Sequence, residues 1–166
     1  MVDTFGETRR STAWMKVSGE SDEALRGDAP CPCGGMSPRV TFDECCGPVL
    51  RGERMAATAE ELMRSRYTAF AVADGDHLFR TWHPTTRPRH VDTDPWVQWV
   101  LLEILDADAG GPDDDKGVVE FRALWTAGEG STRQRGELHE RGRFERRAGR
   151  WLYVDIERPR SGPGRQ

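Results

Sequence analysis

All four cysteines of the chain fall within sixteen positions: Cys31 and Cys33 with one residue between them, then eleven residues, then the adjacent pair Cys45 and Cys46. No other feature constrains the fold as strongly. Residues 28–52 are rich in Cys, Gly and Pro and cannot build a hydrophobic core by themselves, so something else must fix them. Two close thiol pairs joined by a loop can supply four soft ligands in a tetrahedron, at about 2.3 Å each, which is what a structural zinc ion takes. Gly34, Gly35 and Gly47 let the backbone turn tightly around the sulfurs, where bulkier residues would clash. A structural zinc contributes roughly 10–16 kcal/mol of apparent binding energy, which here would be folding energy. The competing uses of the thiols fit less well. A disulfide across adjacent Cys45 and Cys46 would be strained, and the Cys-x-x-Cys spacing of redox sites is absent. Four thiolates leave no open position, so the expected Zn2+ is structural and not catalytic.

The rest of the chain divides by composition. Residues 1–27 are polar with no period and are expected to be a flexible arm, a short helix over 20–25 being the alternative; 28–52 form the zinc module; 53–157 carry regular patterning; 158–166 are expected to be a disordered tail. Hydrophobic residues make up 36% and charged residues 31%, so part of the length is not packed. No run approaches the roughly 20 apolar residues of a membrane span, and 1–27 lack the apolar stretch of a secretory signal. The expectation is no membrane association and a cytoplasmic, reducing location, where disulfides are rare. The net charge of -4 gives no basic field to attract nucleic acid.

Within 53–157, Thr58 and Glu61 form a capping box. Ala59, Leu62, Met63, Tyr67, Phe70 and Ala71 recur at helical spacing behind it. Asp74-Gly75 is expected to end this helix, with Gly75 at the left-handed position. Asp76 is expected to cap a second helix carrying Leu78, Phe79 and Trp82, which Pro84 stops. The period then changes to two. Strands are predicted over 99–105, across Val119, Phe121, Ala123 and Trp125, over 136–145 and over 151–157, the last two joined by a hairpin at Ala148-Gly149. Helices followed by an antiparallel sheet read as α+β.

Arg66 falls on the apolar stripe of its helix, and a buried arginine needs compensation. Strict alternation puts Glu103 on the face of Trp99, Leu101 and Leu105, and Glu140 on the face of Leu138 and Phe144, so either is expected to pair with it. A functional reading makes Arg66, Tyr67, Glu103 and Asp155 a pocket for a small polar or anionic ligand, with His83, His139 and Glu140 as candidate acid–base groups. The plainer reading is a buried salt-bridge network that fixes the fold, with His83 capping a helix end. Arg133, Arg135, Arg141, Arg143, Arg146 and Arg147 could suggest nucleic-acid binding, but Glu137 and Glu145 interrupt them and a solvated strand fits better. No glycine-rich phosphate loop, Gly-x-Ser-x-Gly or His-Glu-x-x-His motif occurs.

Cys31-Pro32-Cys33-Gly34-Gly35 with Asp43-Glu44-Cys45-Cys46-Gly47 resembles the SEC-C zinc motif, best known from the C-terminal tail of the SecA translocation motor. The runs Leu62-Met63-Arg64-Ser65-Arg66-Tyr67-Thr68-Ala69-Phe70, Thr81-Trp82-His83-Pro84-Thr85-Thr86-Arg87-Pro88, Leu102-Glu103-Ile104-Leu105 and Leu138-His139-Glu140-Arg141 extend the resemblance to the YchJ family of uncharacterised bacterial proteins. That resemblance implies a SEC-C module followed by a nuclear-transport-factor-2-like (cystatin-like) domain, a cone of helices on a curved antiparallel sheet. Two departures stand out. Arg39 is the one base where the SEC-C loop usually carries lysines, and Gly142 replaces an expected serine. The expected role is a non-enzymatic adaptor that docks a protein partner through the zinc module. The alternative is a small-molecule enzyme, isomerase or hydrolase-like, using a His/carboxylate/Arg pocket.

Overall fold

The computed structural model describes residues 27–35, 37 and 39–157. The arm expected over 1–27, all but its last residue, and the tail expected over 158–166 lie outside these residues. The chain enters through the cysteine loop, which an antiparallel bridge between Pro30 and Thr41 closes. One turn of helix, α1 (Gly47–Leu50), begins at Cys46 with Pro48 in its first turn. Helix α2 (Ala59–Ala71) follows as the capping box predicts. The Thr58 hydroxyl accepts the Glu61 N–H at 3.1 Å. The Glu61 carboxylate reaches back to the N–H of Ala57 at 2.6 Å, one residue earlier than the motif implies.

Burial on α2 is wider than its stripe. Ser65, Thr68 and Ala69 are fully buried along with Ala59, Leu62, Met63 and Tyr67. One side of the helix meets the sheet, and the other is covered by the cysteine segment and the next helix. That helix, α3 (Gly75–Arg80), is capped by Asp74, whose carboxylate accepts the His77 N–H at 2.9 Å, and not by Asp76. The left-handed residue that ends α2 is Ala73, with φ 59°, and not Gly75. Gly75 opens α3 instead, where an added Cβ would lie 3.3 Å from the Val91 carbonyl oxygen. Beyond α3 the chain runs beside the sheet, with Trp82 bridged in parallel to Tyr153.

Strands β1 (Val97–Ala109), β2 (Lys116–Ala127), β3 (Gln134–Arg147) and β4 (Arg150–Ile156) form an antiparallel meander in the order β1-β2-β3-β4. The β3–β4 hairpin turns at Ala148 and Gly149, both at positive φ (48° and 77°), as a two-residue turn of matching twist requires. One face of the sheet, with Leu102, Val119, Phe121, Ala123 and Phe144 buried, packs against α2. The other face is solvated, as expected for a half-solvated antiparallel sheet, and mixes paired charges with the exposed Leu101.

Strand β1 departs from strict alternation. Its register with β2 shifts between Trp99 and Leu101 and again between Ile104 and Asp106. Each bulge inserts one residue, and one residue is enough to exchange the faces of a strand. Leu102 is therefore 6% exposed, while Leu101 and Leu105 are 41% and 48% exposed. Glu103 turns outward beside Arg122 on β2. At the β1–β2 turn, Gly110 and Gly117 approach so closely that a Cβ on Gly117 would lie 2.5 Å from the Gly110 Cα. The Gly110 carbonyl accepts the first helical N–H of α2, from Ala59, at 2.9 Å.

A single hydrophobic cluster joins Cys31, Cys33, Phe42, Cys46, Val49 and Leu50 to Leu62, Tyr67, Phe121, Phe144 and Trp151. Residues 28–52 build no core by themselves, and the apolar residues they have join one that is shared with α2. Phe42, Val49 and Leu50 do contribute, because α2 supplies the apolar surface that the segment lacks. Among the described residues, no helix is long and apolar enough to cross a membrane.

Candidate metal centre

The cysteine loop is a pair of tight backbone turns that aim four sulfurs at one point. In the first, the Gly34 N–H donates to the Cys31 carbonyl at 2.9 Å and the Gly35 N–H donates to the Cys33 sulfur at 3.2 Å. Both glycines are left-handed, and a Cβ on Gly35 would lie 2.0 Å from a Val40 methyl. In the second, the N–H groups of Cys45 and Gly47 donate to the Phe42 carbonyl at 3.2 and 2.8 Å, which swings Cys45 and Cys46 back toward the first pair.

Cys33 lies 3.5 Å from Cys31, 3.5 Å from Cys45 and 3.6 Å from Cys46, sulfur to sulfur, and Cys45 lies 3.8 Å from Cys46. All four sulfurs fall within 4.8 Å of one another. All four cysteines are free thiols, and these separations are far beyond a disulfide bond. A tetrahedron with arms of about 2.3 Å has edges of roughly 3.8 Å. The donor set and its spacing therefore fit one soft ion held by Cys31, Cys33, Cys45 and Cys46. The electrostatics agree. The Cys31 thiol is held far below the usual range by its hydrogen bond with Cys33, then by those of Cys45 and Cys46. Cys46 is pushed far up, chiefly through Cys31. Cys33 is lowered as well, and Cys45 is raised with Cys46, so the cluster resists carrying four thiolates without a cation among them.

Helix α2 carries this cluster. Arg64 donates from Nη1 to the Cys33 carbonyl at 3.2 Å while its Nε pairs with Glu60 at 2.9 Å. The Thr68 hydroxyl lies 3.9 Å from the Cys31 sulfur. Arg80 of α3 donates to the Leu50 carbonyl at the end of α1 and, at 3.1 Å, to Nδ1 of His77. Nδ1 is thus an acceptor, which assigns the imidazole proton to Nε2, 3.0 Å from the Ser65 hydroxyl. His77 is 1% exposed. Burial, then the charges of Arg80 and Arg66, push its pKa down to about 3. Sequence reasoning passed over Arg64, Thr68, His77 and Arg80. Arg64 and Thr68 do stand within the 62–70 run that carries the family resemblance, but that run assigns them no role.

The polar residues expected to share a pocket are dispersed. Arg66 is 4% exposed and pairs with neither Glu103 nor Glu140. Its Nη1 donates to the Leu78 carbonyl at 2.9 Å and the Thr81 hydroxyl at 2.8 Å. Its guanidinium lies against the rings of Trp82 and Tyr153, 5.0 and 4.7 Å from their centroids. Burial pushes the Arg66 pKa down to about 10. Glu103 is taken by Arg122 on the outer face, 2.7 Å from its Nε. Glu140 lies on the inner side, opposite Phe121, with its pKa raised by burial. His139 points the other way and meets Glu120 at 2.8 Å. Neighbours on a strand face opposite sides, so His139 and Glu140 cannot line one pocket. Asp155 holds Arg143 at 2.6 and 2.7 Å. His83 is buried beside β4, with Nδ1 accepting the Thr85 N–H at 3.2 Å and Nε2 4.0 Å from Glu145. Tyr67 packs edge-on to Trp99, and its hydroxyl is buried without a partner among the described residues. The arginines of β3 are largely matched by acids, Arg141 by Glu120 and Glu157 and Arg143 by Asp155. Gly142 faces the rings of Phe144 and Tyr153, where a Cβ would come within 3.1 and 3.4 Å of them.

Comparison with known proteins follows this anatomy. A family model described as "YchJ, middle NTF2-like domain" matches residues 58–156. A UPF0225 protein of Streptomyces coelicolor is 47% identical over 128 residues, covering 77% of this chain and 94% of the relative. A UPF0225 protein of Deinococcus radiodurans is 44% identical over 126 residues, covering 76% of this chain and 87% of the relative. The solution structure of a SEC-C motif containing protein from Rhodopseudomonas palustris superposes with a TM-score of 0.65 at 35% identity, over 78% of this chain and 98% of that one. A crystal structure of a SEC-C motif containing protein from Psychrobacter arcticus shares the fold, with a TM-score of 0.63 at 23% identity, over 81% of this chain and 86% of that one.

Proposed function

This chain belongs to the YchJ family, with a SEC-C motif and an NTF2-like domain, and from that premise we propose that it is a zinc-binding, non-enzymatic adaptor of the cytoplasm. In this reading Cys31, Cys33, Cys45 and Cys46 hold one structural Zn2+, and the zinc module docks a protein partner. The cystatin-like cone is the frame behind it. The observation that carries the reading is the set of four sulfurs with near-tetrahedral edges, braced on α2 by Arg64. When bound, the ion supplies a fixed divalent charge that holds the thiolates together, and four thiolates leave no position open for chemistry. The protein residues do the rest. Arg64 and Arg80 tie the loop to the helices, and Phe42, Val49 and Leu50 bury it.

Two further observations support binding over turnover. The candidate acid–base groups His83, His139 and Glu140 point in different directions, and none faces Arg66 at bonding distance. The exposed surface offers protein-facing features. Around the cysteine loop it mixes Arg39, Asp43, Glu44, Arg51 and Arg54, a poor footprint for nucleic acid. Along β1 it shows Trp96, Val100, Leu101 and Leu105. A reducing cytoplasm keeps the four thiols available for metal.

The test is native mass spectrometry of the full chain purified from its own cells under reducing conditions, beside a Cys45→Ser variant. One zinc ion per chain, and a protein partner retained by the parent but lost by the variant, are the expected results. Metal-free protein in which the 28–52 segment keeps its protection from proteolysis overturns the proposal.

A further inference from the structure

Arg66 has a property that neither the fold nor the metal centre uses. The rings of Trp82 and Tyr153 lie together against its guanidinium, and Nη1 is consumed by the Leu78 carbonyl and the Thr81 hydroxyl. The remaining edge, Nε with Nη2, finds no acceptor among the described residues. That edge is the fork that matches the two oxygens of a carboxylate. The same protein demonstrates the fit at Arg143, which gives Nε and Nη2 to the two oxygens of Asp155, while Arg122 gives both to one oxygen of Glu103. At Arg66 the identical fork is bare, on a side chain only 4% exposed. A second donor lies in the neighbouring ring, because the indole Nε1 of Trp82 is buried with no partner among the described residues.

A cation only 4% exposed with no carboxylate paired to it, and an indole N–H buried without an acceptor, are costly. They persist where something outside the chain completes them. We propose that the Nε–Nη2 edge of Arg66, with the Nε1–H of Trp82, anchors a binding site for a small monocarboxylate. The ligand's carboxylate accepts the two guanidinium bonds, and its body packs on the aromatic pair Trp82 and Tyr153, whose rings meet edge-on at 5.1 Å. The charge count selects the class. One guanidinium and one neutral N–H compensate a single negative charge, which suits a carboxylate and falls short for a phosphate dianion. Burial lowers Arg66 to about 10, so the side chain stays cationic at neutral pH. Glu140, the inward carboxylate of the sheet, forms no ion pair with it and leaves the fork to the ligand. The site needs no metal and stands apart from the adaptor proposal.

The experiment is a nitrogen-15 NMR titration of the full chain with acetate and with benzoate, using chloride and inorganic phosphate as comparators. Saturable displacement of the Arg66 Nε–H and Trp82 indole resonances by the carboxylates is expected. Trp82→Phe, which keeps a ring but removes the N–H, should weaken binding roughly tenfold. Arg66→Lys, which keeps the charge but removes the fork, should abolish the response. If Arg66→Lys does not fold, the parent and Trp82→Phe titrations decide. Non-saturating shifts, an equal response to chloride, or tighter binding of phosphate than of either carboxylate would overturn the proposal.

Discussion

Acid should destabilise this protein partly through one imidazole. His77 is enclosed by α2 and α3 in its neutral form, accepting from Arg80 at Nδ1 and facing Ser65 at Nε2. Protonation would remove the acceptor that Arg80 uses and place a second positive charge against it. Its folded-state pKa of about 3 lies below the ordinary 6.5. Between those values the unfolded chain binds more protons than the folded one, so stability rises with pH across this window. The contribution is complete above about pH 6.5 and is lost as the pH falls toward about 3. The gap sets a ceiling of about 5 kcal/mol, and the part lost between about pH 7 and about pH 5 comes to about 2 kcal/mol. Carboxylates and thiols titrate over the same range, so the assay is a difference. Urea unfolding, followed by tryptophan fluorescence at several pH values, is compared between the parent and His77→Gln. The parent should lose about 2 kcal/mol more than the variant on acidification from about pH 7 to about pH 5. Parallel stability curves would refute the reasoning, and would mean that the imidazole titrates in the folded protein as it does in the unfolded chain.

Two further outcomes follow from the packing. Gly117→Ala should cost about 1–3 kcal/mol, read from the urea midpoint, because its Cβ would be forced against the Gly110 backbone at 2.5 Å where both strands and α2 meet. Glu103→Gln should shift that midpoint no more than an ordinary surface substitution, since the carboxylate pairs with Arg122 on the outer face; a large loss would return Glu103 to the core as the partner of Arg66.

The sequence by itself determined what rests on near neighbours. The Thr58–Glu61 cap and the recurrence of Ala59, Leu62, Met63 and Tyr67 define α2, because capping and helical period are set within a few residues. The β3–β4 hairpin followed from two adjacent residues able to take positive φ. The four cysteines were legible as one set, because two thiol pairs this close in the chain match the donor set of a tetrahedral metal site. What the tertiary structure decided lies beyond that range. The bulges that turn Glu103 outward belong to the register of β1 with β2, and no local alternation can announce them. The α3 cap is Asp74 and not Asp76, with Gly75 close to the Val91 carbonyl from another part of the chain. Arg66 found aromatic rings and carbonyls where a carboxylate was expected, because adjacency in space, and not position on a stripe, selects the partner of a buried charge.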